Sequence, residues 1–310
     1  MIRMILLTVI FLMSKIEGSA VGRQYIDISS FKIQEKYIDA DGVSFFVRDV
    51  GKGDPIIILH GGPGLDQGYL YEELLPLAKS NRLIFFDQRG CGRSVGEINL
   101  STISMENYVE DVERIRVGLG LGKVIVLGHS WGGLLGMEYA IKYSAQVKKL
   151  ILMNSIPANS EGMMDFFIEV TRRMGNDMEF LKYLTESEAY KKMDPAAEAV
   201  YYRTWFRHYF YDQEKLDDLQ LEFTEESVKG SRAVYKIFGE TFFQTRYNLL
   251  GELKLLTMPV VVIHGDSDPI PWATAAEIAN AIPGAKLSIM EQCGHFPYIE
   301  NPEELFRILR

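Results

Sequence analysis

Cysteine is nearly missing from this chain, with only Cys91 and Cys293 in 310 residues. Two thiols cannot build a disulfide scaffold, and they lack the paired spacing of a zinc site, so free buried thiols are expected. Histidine is scarce as well: there are five, and His60, His129 and His264 show no ligand-like local spacing. No metal centre is expected from them. A surplus of positive charge is also absent. Lys and Arg number 33 against 42 Asp and Glu, a formal net charge of −9, which repels phosphate backbones and anionic lipid surfaces. With no basic patch to offset it, no nucleic-acid partner is expected. The apolar stretch from Met4 to Met13 is far short of the ~20 residues that span a bilayer, so no stable membrane span is expected in the mature chain. Internal repeats and low-complexity tracts are not seen.

What is present reads from the N-terminus as a secretory signal peptide over residues 1–20. Arg3 precedes the apolar stretch, and the small residues Gly18-Ser19-Ala20 follow it. Export to the periplasm or the exterior follows from that reading; without processing the chain stays cytoplasmic. Beyond Lys32, Gln34–Asp39 and Ser44–Asp49 flank the turn pair Asp41-Gly42 and predict an antiparallel hairpin. Ile56–Leu59, Leu83–Phe86, Val124–Leu127, Leu150–Met153 and Val260–Ile263 are continuous apolar runs, as buried parallel strands should be. Helical stretches at Tyr69–Ala78, Met105–Gly118, Leu134–Tyr143 and Trp272–Ala281 alternate with them. The expected fold class is therefore α/β, a mostly parallel sheet with helices on both faces.

The alternation stops between residues 155 and 250. That stretch shows no clear strands and holds 18 of the 36 aromatic residues. It carries helical patterns such as Pro195–Phe210 behind the cap residue Asp194. It reads as a helical cap inserted into a core formed by residues 32–154 and 251–310.

Gly128-His129-Ser130-Trp131-Gly132 is a G-x-S-x-G match lying directly after the run Val124–Leu127 and directly before an amphipathic helix. This is the strand–turn–helix setting of a nucleophile elbow, which exposes the Ser130 hydroxyl at a tight turn. A serine hydroxyl needs a base, and the base needs an orienting acid. Among the five histidines, His129 adjoins the serine, His60 and His264 end predicted strands, and His208 lies in the insertion. His295 remains, at a loop edge after the strand-like Lys286–Met290. The acid should fall between Ser130 and His295 in sequence, and both Asp266 and Asp268 follow the run Val260–Ile263. An oxyanion hole would take one N–H from Trp131, after the nucleophile, and one from the glycine loop His60-Gly61-Gly62-Pro63-Gly64, for which Gly62 is the candidate. Asp87 and Arg89, at another strand end, read as loop-holding residues. Such chemistry needs no metal or cofactor.

The segments His60–Gly64, Asp87-Gln88-Arg89-Gly90-Cys91-Gly92-Arg93-Ser94, Gly128–Gly133 and the corner Gly294-His295 resemble the α/β-hydrolases of the proline iminopeptidase family. The resemblance covers the core from about Gln34 to Arg310. It implies an α/β-hydrolase fold and a serine aminopeptidase releasing N-terminal residues, preferably proline, from short peptides. It also places the acid at the last position of the turn Gly265–Asp268, hence Asp268, and leaves Asp266 as a turn residue. Members of the family hold the substrate ammonium with glutamates, in some cases one just after the acid, where this chain has Pro269. Glu198, Glu214 and Glu240 on the cap are the acids available for that role. Two rivals stand beside this reading: an esterase, lactonase or amidase acting on a small uncharged substrate, and a non-catalytic binding protein on the same fold.

Overall fold

The computed structural model describes residues 31–310; the expected signal segment lies outside the described residues. The described chain opens on a hairpin of β1 (Ile33–Ala40) and β2 (Val43–Gly51), paired antiparallel with Ala40 opposite Val43. Asp41 and Gly42 take positive φ angles of 51° and 72°, the two-residue turn whose twist matches that of the strands it joins. Next come β3 (Asp54–Leu59), α1 (Gly68–Leu74), β4 (Asn81–Phe86), the short β5 (Val95–Gly96) and α2 (Met105–Gly118). They lead into β6 (Val124–His129), α3 (Trp131–Lys142) and β7 (Val147–Met153). Only helical elements then follow before the next strand: α4 (Ser160–Met174), α5 (Asp177–Glu186), α6 (Glu188–Lys191), α7 (Pro195–Phe206), α8 (Glu225–Glu240) and α9 (Leu250–Leu253), with short 3-10 turns among them. The chain closes with β8 (Val260–Gly265), α10 (Trp272–Ala281), β9 (Lys286–Met290), α11 (Pro297–Glu300) and α12 (Pro302–Leu309).

The strands form one nine-stranded sheet in the order β1-β2-β4-β3-β6-β7-β8-β9, with β5 paired to β2. Pairing is antiparallel from β1 through β2 to β4 and parallel from β4 through to β9. Burial follows position. Ile57, Val126, Leu152 and Ile263 in the central strands are covered on both faces, whereas edge strand β9 leaves Lys286, Leu287 and Ile289 exposed. Because the parallel strands all run the same way, the residues just after β3, β6, β7, β8 and β9 gather at one edge of the sheet. Side chains on those loops can meet although their codons lie far apart.

Three expected helices differ in extent, and the one expected over Leu134–Tyr143 spans Trp131–Lys142. Over Tyr69–Ala78 the α-helix ends at Leu74 and a 3-10 turn, Leu75–Lys79, continues it, because Pro76 has no N–H to give to the preceding turn. Pro195–Phe210 likewise divides into α7 and a 3-10 turn, Arg207–Tyr209. Its start is as read from sequence, with the Asp194 carboxylate accepting from the Ala197 N–H at 2.9 Å and Pro195 in the first turn. Among the described helices none is long and apolar enough to cross a membrane.

Candidate active site

Ser130 is the single residue between β6 and α3, with φ 58° and ψ −122°. Such a backbone costs about 1–3 kcal/mol and persists only where its surroundings enforce it. Here the Ser130 N–H donates to the Met153 carbonyl (3.1 Å), and its own carbonyl accepts from Gly133 (2.9 Å) and Ile156 (3.1 Å). The flanking glycines are required by close approach. A Cβ on Gly128 would collide with the Gly132 carbonyl, and one on Gly132 with the Leu59 carbonyl. Although Ser130 holds the N-cap position of α3, its side chain makes no cap bond. Its hydroxyl is left to face the cavity that it lines together with Gly62 and His295.

The His295 ring donates through Nδ1 to Asp268 Oδ2 at 2.7 Å. The same oxygen accepts from Asn154 Nδ2 at 2.6 Å, and Oδ1 accepts from the Ile270 N–H at 2.9 Å. Burial by itself would push this carboxyl up. The charge and hydrogen bond of His295, aided by His264 and Asn154, outweigh burial and hold it below the ordinary value. Asp266 is placed differently: it is exposed, accepts from the Gln292 and Cys293 N–H groups and closes the loop before His295. The two aspartates left open by spacing are thus separated by geometry.

On the glycine loop, the Gly61 N–H is spent on Tyr69 Oη at 2.6 Å. Gly62 is exposed, takes φ 130° and lines the cavity, a conformation that suits a residue without Cβ. Trp131 begins α3, so its N–H has no partner within the helix. Its ring is buried and donates to Gln88 Oε1 at 3.1 Å.

The remaining wall comes mainly from the inserted helices. Met163, Phe166, Phe167 and Val170 of α4, Tyr202, Trp205 and Phe206 of α7, and Tyr209, Tyr235, Phe243 and Phe296 surround about 840 Å³ of space that opens to solvent. No Asp or Glu is among the lining residues. The cap acids singled out from sequence lie elsewhere. Glu198 is buried in an ion pair with Arg232, Glu214 is exposed, and Glu240 is exposed with Lys236 at 3.9 Å. Among the described residues no group of three or more His, Cys, Asp or Glu is placed to hold a metal ion.

A family model described as alpha/beta hydrolase fold matches residues 54–302. The chain is an alpha/beta hydrolase. It is 30% identical over 287 residues to a proline iminopeptidase of Heyndrickxia coagulans, covering 89% of this chain and 96% of that one. A proline iminopeptidase of Saccharolobus solfataricus is 26% identical over 304 residues, covering 91% and 92%. Among solved structures, a proline iminopeptidase-related protein from Thermus thermophilus superposes with a TM-score of 0.67 at 23% identity, over 90% of this chain and 96% of that chain. At that identity the superposition speaks to the fold. The hydrolase is thus related to proline iminopeptidases at modest identity.

Several residues of this hydrolase's site carry no local sequence signal. Asn154 follows β7 with a positive φ of 47° and also donates to the Gly294 carbonyl at 3.0 Å. Glu300 accepts from the N–H groups of Gly294 (2.7 Å), Tyr211 (2.8 Å) and Asp212 (3.1 Å). Arg173, at the end of α4, donates to the carbonyls of Ser267 (2.6 Å) and Asp268 (3.2 Å). The cap is in this way bonded to the loops of both His295 and Asp268. Only the position of Asn154 at a parallel strand's C-terminal end could have drawn notice beforehand.

Asp87 and Arg89 hold loops. Asp87 accepts from the Gln67 and Arg93 N–H groups at 3.1 and 2.8 Å, and Arg89 pairs with Asp111 at 2.7 Å. Cys91 and Cys293 are free and buried. Beside Asp87 in the hydrolase, burial and then the Asp87 charge push the Asp66 carboxyl up to about 6. A folded value raised above the unfolded one, about 3.9, gives stability that is fully present below the unfolded value and lost as pH rises through the folded one. Asp66→Asn removes that charge and keeps an oxygen for the Gly68 N–H, which the carboxylate accepts at 2.8 Å. The variant is expected to exceed the native chain by about 2 kcal/mol at pH 8 and to match it near pH 4, read from urea unfolding at both. Equal stability at pH 8 would refute the assignment.

Proposed function

We propose that the hydrolase cleaves small amide or ester substrates through an acyl-enzyme, with N-terminal proline of short peptides as the preferred acyl group. Ser130 Oγ attacks the carbonyl carbon. His295 Nε2 takes the hydroxyl proton and passes it to the leaving amine, while Asp268 holds Nδ1–H and steadies the imidazolium. The N–H groups of Gly62 and Trp131 meet the oxyanion, each contributing about 3 kcal/mol in the transition state. Water then repeats the sequence on the ester. The observation that carries this reading is the meeting of three chain segments at one cavity: Ser130 with an uncapped hydroxyl, His295 tied to Asp268 through Nδ1, and Gly62.

The substrate half of the proposal draws support from the names of the relatives and from the lining. Aromatic walls suit the apolar pyrrolidine ring, and their faces attract its ammonium. A second reading, hydrolysis of a neutral ester, lactone or amide, is favoured by the lack of any carboxylate among the lining residues. Initial rates on proline, alanine and leucine arylamides, N-acetyl-proline arylamide and a short acyl ester separate the two. Turnover of free prolyl arylamide and none of its acetylated twin is expected from an aminopeptidase. Ester turnover without arylamide cleavage sinks the peptidase reading and keeps the mechanism. No activity on any of them, with no labelling by a fluorophosphonate, would instead favour a binding protein.

A further inference from the structure

The Gly61 N–H, Tyr69, His129 and the carbonyl of His295 make a continuous hydrogen-bond series that the proposed reaction does not use. Gly61 donates to Tyr69 Oη at 2.6 Å, Tyr69 Oη meets His129 Nδ1 at 2.8 Å, and His129 Nε2 meets the His295 carbonyl at 2.9 Å. Tyr69 and His129 are both buried. The direction of every bond follows from chemistry. A carbonyl oxygen can only accept, so His129 Nε2 carries a hydrogen. Burial, and then repulsion from His295, hold the His129 ring down to about 3, so it is neutral at ordinary pH and Nδ1 is a bare acceptor. Tyr69 must therefore donate its only proton to His129, which leaves its oxygen free to accept from Gly61.

The series thus runs one way, from N–H to carbonyl, with each polar atom satisfied. Its ends adjoin the two groups whose spacing matters most for acyl transfer. Gly62, the proposed oxyanion donor, is the residue after Gly61, and His295 is the proposed base. The links join positions 8, 60 and 166 residues apart in sequence. The ring of His129 also lies against that of His295, with centroids 4.8 Å apart.

We infer that Tyr69 and His129 are positioning residues that set the distance between the oxyanion loop and the catalytic histidine. The inference rests on the acyl-transfer reading. Removing the Tyr69 hydroxyl leaves the Gly61 N–H without its acceptor and His129 Nδ1 without its donor. The glycine loop can then relax away from the elbow by a few tenths of an ångström, which lowers transition-state stabilisation more than ground-state binding.

The test uses the full chain and a fluorophosphonate probe, so it needs no knowledge of the natural substrate. Its readouts are the labelling rate at Ser130, kcat and KM on the best substrate of the arylamide and ester panel, and the thermal midpoint. Tyr69→Phe is expected to slow labelling and kcat by about tenfold with KM within about twofold. His129→Gln keeps a donor and an acceptor on one side chain and is expected to recover most of the rate, whereas His129→Leu keeps neither and is expected to lose at least tenfold. That contrast carries the test if Tyr69→Phe does not fold. Labelling of folded Tyr69→Phe at the native rate, or equal rates for the two His129 variants, would overturn the inference. A native chain that neither labels nor turns over substrate would instead bring down the acyl-transfer reading beneath it.

Discussion

Ser130→Ala is expected to lower kcat by about 10⁶-fold and to abolish fluorophosphonate labelling, leaving KM and the thermal midpoint nearly unchanged. The hydroxyl makes no cap bond to α3, so its removal takes away the proposed nucleophile and little structural support. Alanine tolerates the turn as well as serine does, since both carry a single Cβ into the same positive φ. The bonds that enforce that φ come from the backbone: Ser130 N–H to Met153, and Gly133 and Ile156 to the Ser130 carbonyl. Residual catalysis of about 10³- to 10⁴-fold over water should survive, contributed by the oxyanion donors and by binding in the aromatic cavity. Kinetics of the purified variant, with intact-mass analysis after labelling, read this out. Turnover above about 1% of the native rate would remove Ser130 from the proposed mechanism.

The sheet was legible from the sequence because burial writes itself into local composition. Ile56–Leu59, Leu150–Met153 and Val260–Ile263 are buried throughout, and Val124–Leu127 in all but the half-buried Ile125; a strand in that position has almost no polar side to show. The Asp41-Gly42 turn was equally readable, since few residue pairs accept two positive φ angles. β5, with two residues, is too short to leave a pattern. The division of Tyr69–Ala78 turned on one residue, Pro76, whose missing N–H alters the hydrogen bonding while leaving the hydrophobic spacing intact.

Ser130, His295 and Gly62 were accessible for a different reason. Each sits in a short motif with glycine where a Cβ would strike backbone: Gly128 and Gly62 within their own turns, against Gly132 and Gly64, and Gly294 against the Tyr209 carbonyl. Asn154, Arg173, Glu300 and Tyr69 act across contacts far apart in sequence, and nothing in their neighbours announces the partner. The same holds for the substrate end of the cavity. Glu198 on α7 could have faced inward as far as its sequence shows, and what turned it aside is Arg232, 34 residues away, whose Nε reaches it at 2.9 Å. Charge placement in a helical insertion is set by tertiary pairing, so composition locates the acids without locating their carboxylates.

Asp268→Asn is expected to reduce kcat by about 10⁴-fold, while Asp266→Asn changes it by less than about threefold. The reason lies in what surrounds the Asp268 carboxylate. Oδ2 faces two donors, His295 Nδ1 and Asn154 Nδ2, and Oδ1 faces a third, the Ile270 N–H. An asparagine must set its NH₂ against one of these groups. Turned toward Ile270, it opposes that donor and loosens the loop that carries it. Turned toward His295, it opposes Asn154 and can bond the imidazole only if Nδ1 gives up its hydrogen. The proton then resides on Nε2, where it blocks acceptance from Ser130. The first orientation keeps the His295 bond but loses the charge that steadies its imidazolium, the second puts the proton on the wrong nitrogen, and neither empties the cavity, so KM should hold while kcat collapses. Asp266 accepts only from the backbone of Gln292 and Cys293 and from the Ser267 hydroxyl, and an exposed asparagine can keep most of those bonds. Stability adds an independent sign. Because the Asp268 carboxyl is held below its ordinary value, it stabilises the fold above the unfolded value of about 3.9, and that contribution is lost as pH falls through the folded one. The native chain should therefore exceed Asp268→Asn in urea midpoint at pH 7, with the gap closing in strong acid. A loss of kcat in Asp266→Asn with Asp268→Asn unaffected would transfer the orienting role to the other aspartate.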